Sequence, residues 1–161
     1  MKKWVIIVSI LILLMIGYVV ASALVGMDEK KTAEEQAISI ATSEGGLKSV
    51  SDYYLYHGKE VYSVVVGKDE KGTDQALFIP KDLDKNSTVI KKKYSEGVSK
   101  TDIINTVKRN DNPEEIISVK LGMEDKKALW EVTFKDAKGS LNYYYYDFLN
   151  GHKIKTTIKG I

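Results

Sequence analysis

Hydrophobic residues are distributed along this chain in two very different ways. From Trp4 to Val25 the chain carries no charged residue and reads WVIIVSILILLMIGYVVASALV. At about 1.5 Å per residue, a helix of this length spans a hydrocarbon layer of about 30 Å, so the stretch predicts a transmembrane helix. Lys2 and Lys3 precede it. This positive-inside bias predicts a single-pass signal anchor in the cell membrane, with a cytoplasmic N-terminus and an extracellular C-terminal body.

The same stretch permits a second interpretation, a cleaved signal peptide. Ala21-Ser22-Ala23 has the small-x-small form of a cleavage site and follows an apolar segment. The apolar core of a signal peptide usually has about 7–15 residues, and the segment before Ala21 is longer than that. We therefore expect retention as an anchor, while cleavage after Ala23 stays open. In both cases the body is exported.

Beyond this stretch the hydrophobic runs are shorter, and they repeat. The segments Lys68-Asp69-Glu70-Lys71-Gly72 and Lys135-Asp136-Ala137-Lys138-Gly139 are related by an offset of 67 residues (68 to 135). Two helix starts align at the same offset: Thr32-x-x-Glu35, which has the form of a capping box, and Ser99 with Asp102. This agreement predicts a duplicated unit with a helix at the start of each copy.

Each predicted helix is followed by short runs rich in Val, Tyr, Ile and Phe, bounded by turn residues. These runs predict strands at 50–56, 60–67, 74–80 and 86–92 in the first copy, and at 115–121, 127–135, 141–148 and 152–158 in the second. The predicted fold class is α+β, with an N-terminal transmembrane helix and two tandem units that each pack one helix on an antiparallel β-meander. The predicted domains are the cytoplasmic tip and anchor at 1–27, the first unit at 28–93 and the second unit at 94–161, with a short linker around Tyr94–Val98.

The buried face of one strand stays open. In the second copy, Trp130 and its alternate neighbours form a clean apolar face of the strand at 127–135. The offset of 67 residues places the odd-numbered residues of 61–65 on the equivalent face. A slip of one residue would place the even-numbered residues of 62–66 there instead, because a slip exchanges the two faces of a strand.

Charge and composition exclude several classes of function. The chain has 24 basic and 22 acidic residues, and since Lys2 and Lys3 precede the apolar stretch, the body is neutral and predicts no nucleic-acid binding. Cysteine is absent, and the two histidines, His57 and His152, adjoin glycines at predicted turns. No nucleophile elbow, phosphate loop, dinucleotide fingerprint or zinc-protease motif occurs. We therefore expect a non-enzymatic chain without a metal or cofactor.

Tyrosine is concentrated in two predicted strands, around 53–56 and around 143–146. Because alternate side chains of a strand point to opposite faces, each cluster places rings on both faces of its sheet. One face packs on the helix, and the other is available to a protein partner, where tyrosine is enriched. Packing between the two units is the alternative use of these rings. The candidate partner-binding residues are Tyr54, Tyr56, Tyr143, Tyr144, Tyr145 and Tyr146.

The second copy also carries the residues of a family resemblance, namely Ala128–Phe134 (ALWEVTF), Lys135–Gly139, Tyr145–Phe148 and Asn150–Ile154. With its short basic N-terminus, one span and two PepSY/cystatin-like units, the chain resembles the TseB-like (YpmB-like) cell wall elongation regulators of low-GC Gram-positive bacteria. The resemblance covers essentially the whole chain. It implies an extracytoplasmic, membrane-tethered, non-catalytic protein that modulates a membrane-bound penicillin-binding transpeptidase in peptidoglycan synthesis, and it implies no particular site residues.

Two other classes of function compete with the one that this resemblance implies. PepSY units also occur in the propeptides of proteases, which implies an inhibitor or chaperone of a secreted protease as the alternative function. That alternative predicts cleavage after Ala23 and a complex with a peptidase. A wall hydrolase would need a second carboxylate opposite one such as Glu131, and the sequence identifies none.

Overall fold

The computed structural model describes residues 2–82 and 88–159, and it describes side chains at 11–22, 31–82 and 88–157. Its first element is helix α1, Lys2–Ser43. The chain divides into two compact parts, an N-terminal part, Met1–Gln36, and a C-terminal part, Ala37–Ile161. The N-terminal part is helical throughout its described length, whereas the C-terminal part contains all of the described strands.

The N-terminal part contains the whole of the predicted membrane anchor at 1–27. The apolar side chains at 11–22 are exposed, among them Leu13, Met15 and Tyr18. Within the described part of the chain, no helix is both long enough and apolar enough to cross a bilayer. The predicted span at 4–25 includes residues 4–10 and 23–25, whose side chains lie outside the described residues. The membrane anchor therefore stays a prediction.

The predicted start of the first helix at Thr32 is wrong. Helix α1 is continuous from Lys2 to Ser43, so Thr32 lies inside it and is not its N-cap. The capping-box pattern competes here with the segment Asp28–Lys31, which contains no proline and is rich in Glu and Lys, both good helix formers. The helix ends, as expected, just before the glycine pair Gly45-Gly46.

The C-terminal part contains two four-stranded antiparallel sheets, which confirms the α+β fold class. The first sheet has the order β1-β2-β3-β4, and its strands are Leu47–His57, Val61–Asp69, Asp74–Pro80 and Ile90–Lys93. The second has the order β5-β6-β7-β8, and its strands are Glu115–Glu124, Lys127–Lys135, Leu141–Asp147 and Lys153–Lys159. Residues 86–87 of the predicted fourth strand lie outside the described residues. The domain boundaries at 28–93 and 94–161 stay predictions.

The first sheet is buried on both faces, which answers the open question about β2. Val65 packs with Leu77 and Ile79 against Ala37 and Ala41 of α1, as the offset of 67 residues predicts. The even-numbered residues of β2, from 62 to 66, instead join the core that is shared with the second sheet. Since Val65 is buried as fully as the even-numbered residues, alternation along β2 could not distinguish one face from the other.

Helix α2, Lys100–Asp111, packs on the second sheet. Ser99 is its N-cap, and the Ser99 hydroxyl accepts a hydrogen bond of 3.2 Å from the Asp102 N–H, as the sequence predicts. Ile103 and Val107 are fully buried in the same core as Trp130. The helix therefore covers the apolar face of β6.

The connection between the repeats is ordered. It contains one 3₁₀ turn, Tyr94–Glu96, followed by Gly97 and Val98. The Val98 N–H donates to the Phe148 carbonyl at 2.7 Å, and the Trp130 indole N–H donates to the Val98 carbonyl at 2.9 Å. The Tyr94 ring lies 6.3 Å from the Trp130 ring and 6.1 Å from the Phe148 ring. The predicted linker is thus part of the packed structure.

The repeated K-D-x-K-G motif forms the same turn in both sheets. The Asp69 Oδ1 accepts from the N–H groups of Lys71 and Thr73 at 2.9 and 3.0 Å. The Asp136 Oδ1 accepts from the N–H groups of Lys138 and Ser140 at 2.9 and 3.0 Å. The glycines that close the motifs have left-handed φ values of 76° and 78°, which favour glycine. The internal repeat is therefore a repeat of structure as well as of sequence.

We predict that Gly97→Ala destabilises the fold. An added Cβ would lie 2.1 Å from the ring of Phe148, which is fully buried and has little room to move. The free energy of unfolding should fall by about 1–3 kcal/mol, the usual cost of overpacking, in a denaturant titration. Ser95→Ala, at an exposed position of the same connection, is the matched control and should change little. Equal effects of the two variants would contradict the packing described here.

We also predict that Asp136 makes the fold sensitive to acid. Hydrogen bonds, first from the Ser140 N–H and then from Asn142, lower the pKa of Asp136. Its stabilising contribution is therefore present above the ordinary carboxyl pKa of about 4 and is lost as the pH falls through the lower folded value. Asp136→Ala should lower the midpoint of thermal unfolding at neutral pH and make it depend less on pH between about pH 5 and about pH 2.

The control for this experiment is Lys138→Arg, which keeps both the main-chain N–H and the positive charge of the turn. It should keep the pH dependence of the unmodified chain. A pH dependence that Asp136→Ala does not alter would show that other carboxyl groups account for the acid sensitivity.

Candidate partner-binding surface

The four tyrosines of β7 divide between the two faces of the second sheet. Tyr144 and Tyr146 lie opposite Val132 and Trp130 of β6, on the apolar side, and Tyr146 is only 1% exposed. The Tyr144 ring meets the Phe134 ring edge to face, with 4.8 Å between centroids. Tyr143 and Tyr145 project from the other side and are half-buried, and Tyr145 also packs against the shared core. Alternation along the strand thus places the rings as the sequence predicts.

The two tyrosines of β1 are buried between the repeats. The Tyr54 ring meets the Trp130 ring edge to face at 5.9 Å. The Tyr56 ring packs on β5 at Gly122, where an added Cβ would lie 2.3 Å from the ring. The Tyr56 hydroxyl donates to the Glu124 carboxylate at 2.9 Å. Burial, followed by the interaction with Glu124, raises the pKa of Tyr56, so the phenol is neutral.

These positions correct the expected set of six partner-binding tyrosines. Tyr54, Tyr56 and Tyr146 are at most 7% exposed, so their rings stabilise the core and are not accessible to another protein. The alternative that the sequence left open, packing between the two repeats, applies to Tyr54 and Tyr56. A partner-binding role for the remaining tyrosines stays a prediction.

The Tyr144 ring also makes contacts that stabilise the fold. The Lys153 ammonium lies 3.6 Å from the centre of the Tyr144 ring and 3.5 Å from Oδ1 of Asp111, the last residue of α2. Burial and then the negative charge of Asp111 raise the pKa of Tyr144. This stack fixes the end of α2 on the sheet, so the ring of Tyr144 is largely committed to the fold.

We call the opposite side of the second sheet the outer face and define it by Lys120, Glu131, Tyr143, Tyr145 and Lys155. Lys120, Glu131, Tyr145 and Lys155 are successive cross-strand partners, forming one row over all four strands. The Lys155 ammonium lies 5.0 Å from the centre of the Tyr145 ring. Burial and the nearby Glu131 carboxylate raise the pKa of Tyr145 to about 12. The row therefore combines a neutral phenol with charges of both signs.

The remaining candidate groups show no constellation for metal chemistry. His57, the last residue of β1, and His152, which precedes β8, are both exposed. Among the described residues, no three His, Cys, Asp or Glu side chains are arranged to hold a metal ion.

Comparison with known proteins decides the family. Residues 36–80 match a family model described as the cell wall elongation regulator TseB-like domain. The chain is 33% identical over 129 residues to the probable cell wall elongation regulator TseB of Bacillus subtilis (strain 168), which covers 80% of this chain and 79% of that protein. The chain belongs to the TseB-like family of cell wall elongation regulators.

A solved structure agrees with this TseB-like assignment. The YpmB protein from Bacillus subtilis superposes with a TM-score of 0.68 at 32% identity, over 78% of this chain and 97% of that one. The resemblance inferred from the strand and turn motifs is therefore confirmed. The matching region of the family model includes α1 from residue 36 and strands β1 to β3.

In this TseB-like chain, the sequence did not single out the row on the outer face. Lys120, Glu131 and Lys155 lie in three different strands and meet only through the strand register. The sequence identifies Tyr145 as a candidate partner-binding residue, but only as one of the four tyrosines at 143–146. Alternation along β6, combined with the position of each hairpin turn, could have predicted the row. The turn positions set the strand register and therefore the cross-strand partners.

We predict that Tyr56 couples the two repeats energetically. Tyr56→Phe removes the donor to Glu124 and should lower the free energy of unfolding by about 1 kcal/mol. Tyr56→Ala also leaves a cavity at Gly122 and should cost about 3–5 kcal/mol. Denaturant titrations of Tyr56→Phe, Glu124→Gln and the double variant measure the coupling between the pair. Strictly additive effects would show that the hydroxyl–carboxylate contact does not link the repeats.

Proposed function

We propose that the chain is a membrane-anchored, extracytoplasmic and non-catalytic regulator of peptidoglycan elongation that acts on a penicillin-binding transpeptidase. Membership in the TseB-like family is the observation that carries the proposal, since the related Bacillus subtilis protein is described as a probable cell wall elongation regulator. The transpeptidase partner comes from the resemblance in the sequence.

The N-terminal stretch supplies the proposed location. The uncharged residues 4–25 follow Lys2 and Lys3, which supports a retained anchor with the body outside the cell. Confining the body and a membrane-bound synthase to one surface raises their effective concentration, so a weak contact between them suffices. An anchor therefore suits a regulator that binds its partner through a small surface.

The body supports a binding role through the way its polar groups are used. Asp69 and Asp136 organise turns, Ser99 caps α2, and Glu124 holds Tyr56. These groups are occupied in stabilising the fold. The outer face instead presents half-buried rings beside lysine and glutamate side chains, which is a composition suited to contact with a protein.

The absence of cysteine gives a direct test in intact cells. Tyr143→Cys introduces a unique thiol on the outer face, and Lys138→Cys introduces one on the exposed turn between β6 and β7. A membrane-impermeant maleimide should label both variants. An impermeant bifunctional crosslinker should then join Tyr143→Cys, and much less Lys138→Cys, to a penicillin-binding transpeptidase identified by mass spectrometry.

Each step of this experiment can fail separately. Labelling of either thiol only after lysis would contradict the extracellular location. Labelling without a cell wall synthase among the crosslinked proteins would contradict the proposed partner. Equal crosslinking from the two positions would contradict the outer face as the region of contact.

A further inference from the structure

Strand β8 leaves one edge of the second sheet open. It is the last strand in the order β5-β6-β7-β8 and runs for seven residues, Lys153–Lys159. In the described part of the chain, only β7 pairs with it as a strand. The main-chain groups on its other edge are therefore available to an added strand, because an edge strand presents unpaired N–H and C=O groups.

The charge on this edge has one sign. The charged residues of β8 are Lys153, Lys155 and Lys159, all of one sign, in a body whose net charge is zero. Lys153 is paired with Asp111. Lys155 lies against the Tyr145 ring and forms no ion pair with a described residue. Its positive charge is thus left for a partner to neutralise.

The free edge of the first sheet is a poorer match, although β4 also carries lysines. It has only four residues, Ile90–Lys93. The Lys91 ammonium donates to the Gly45 carbonyl at 3.0 Å, and Lys93 is paired with Glu96 at 3.4 Å. Two of its lysines are therefore already used inside the fold.

A second copy of the chain is a poor occupant for β8. Pairing β8 with β8 would place lysines opposite lysines, and like charges on neighbouring strands are destabilising. An extended segment with alternating acidic residues reverses this interaction. Ile154, which is 55% exposed in the same strand, offers such a segment an apolar contact.

We propose that β8 binds an extended acidic segment of a protein partner as a fifth strand of the second sheet. A carboxylate of the segment pairs with Lys155, beside Tyr145 on the outer face, and the main chain of the segment bonds to the open edge. This inference rests on the proposed function in taking the partner to be a protein, and it specifies the chemistry of the bound segment.

The test uses the full chain in detergent micelles and a synthetic peptide as the probe. The peptide has blocked ends and alternates glutamate with valine over seven residues, the length of β8. A control peptide has lysine in place of each glutamate. Hydrogen exchange at the amides of 153–159 is followed by mass spectrometry, and the acidic peptide alone should slow it several-fold.

Charge reversal at Lys155 separates specific binding from general attraction. Lys155→Glu replaces an ion pair with repulsion and should weaken binding of the acidic peptide about tenfold. Lys138→Glu makes the same change on the exposed turn of the same sheet and should leave the affinity unchanged. Both variants should keep the thermal unfolding midpoint of the unmodified chain.

Several outcomes would overturn the inference. One is equal protection of the amides of 153–159 by the acidic and the lysine peptide. Another is an equal loss of affinity for the acidic peptide in Lys155→Glu and Lys138→Glu. Lysines on an edge strand also protect it from self-association. If Lys155→Glu promotes self-association and leaves peptide binding unchanged, protection is the role of Lys155. Peptide binding does not involve a cell wall synthase, so its failure is distinguishable from failure of the crosslinking test for the proposed function.

Discussion

The packing of Tyr54 and Tyr56 against the second sheet makes one core out of two repeats. Both residues belong to the first sheet, yet their rings contact Trp130 and Gly122 of the second. A unit of about 67 residues buries too little surface to be stable with a wide margin. Sharing a core increases the apolar surface that each repeat buries, and it covers the face of the first sheet that α1 does not reach.

The shared core also determines which tyrosines remain for recognition. A ring that stabilises the contact between repeats cannot at the same time meet another molecule. Tyr54 and Tyr56 are used in this way, and Tyr146 is buried in the same core. Tyr143 and Tyr145 are half-buried on the outer face, where Tyr145 also packs against the edge of that core. The proposed recognition surface is therefore confined to the second repeat, even though the two repeats have similar folds.

Much of the local structure could be predicted from the sequence, because local chemistry determines it. The K-D-x-K-G motifs indicated matching turns, and Ser99 with Asp102 indicated the start of α2; both predictions are confirmed. Thr32 has the same pattern as Ser99 but lies inside α1. The residues before Thr32 favour a helix as strongly as those after it, so the local cap signal did not decide where the helix begins.

The site could be predicted only in part, because it depends on contacts between the repeats. Alternation placed Tyr143 and Tyr145 on one side of the sheet, since that rule involves one strand only. The burial of Tyr56 depends on the absence of a side chain at Gly122, 66 residues later in the chain (56 to 122). Residues so far apart leave no periodic pattern in one sequence, and the same holds for the row that includes Lys120 and Lys155.

The ordered connection at Tyr94–Val98 has a consequence for assembly. Two similar halves in one chain invite exchange of halves between neighbouring molecules, which requires the connecting segment to open and extend. Here extension would break the bond from the Trp130 indole to Val98 and draw Gly97 away from Phe148. The tight connection thus opposes the opening that an exchange of halves between molecules would require.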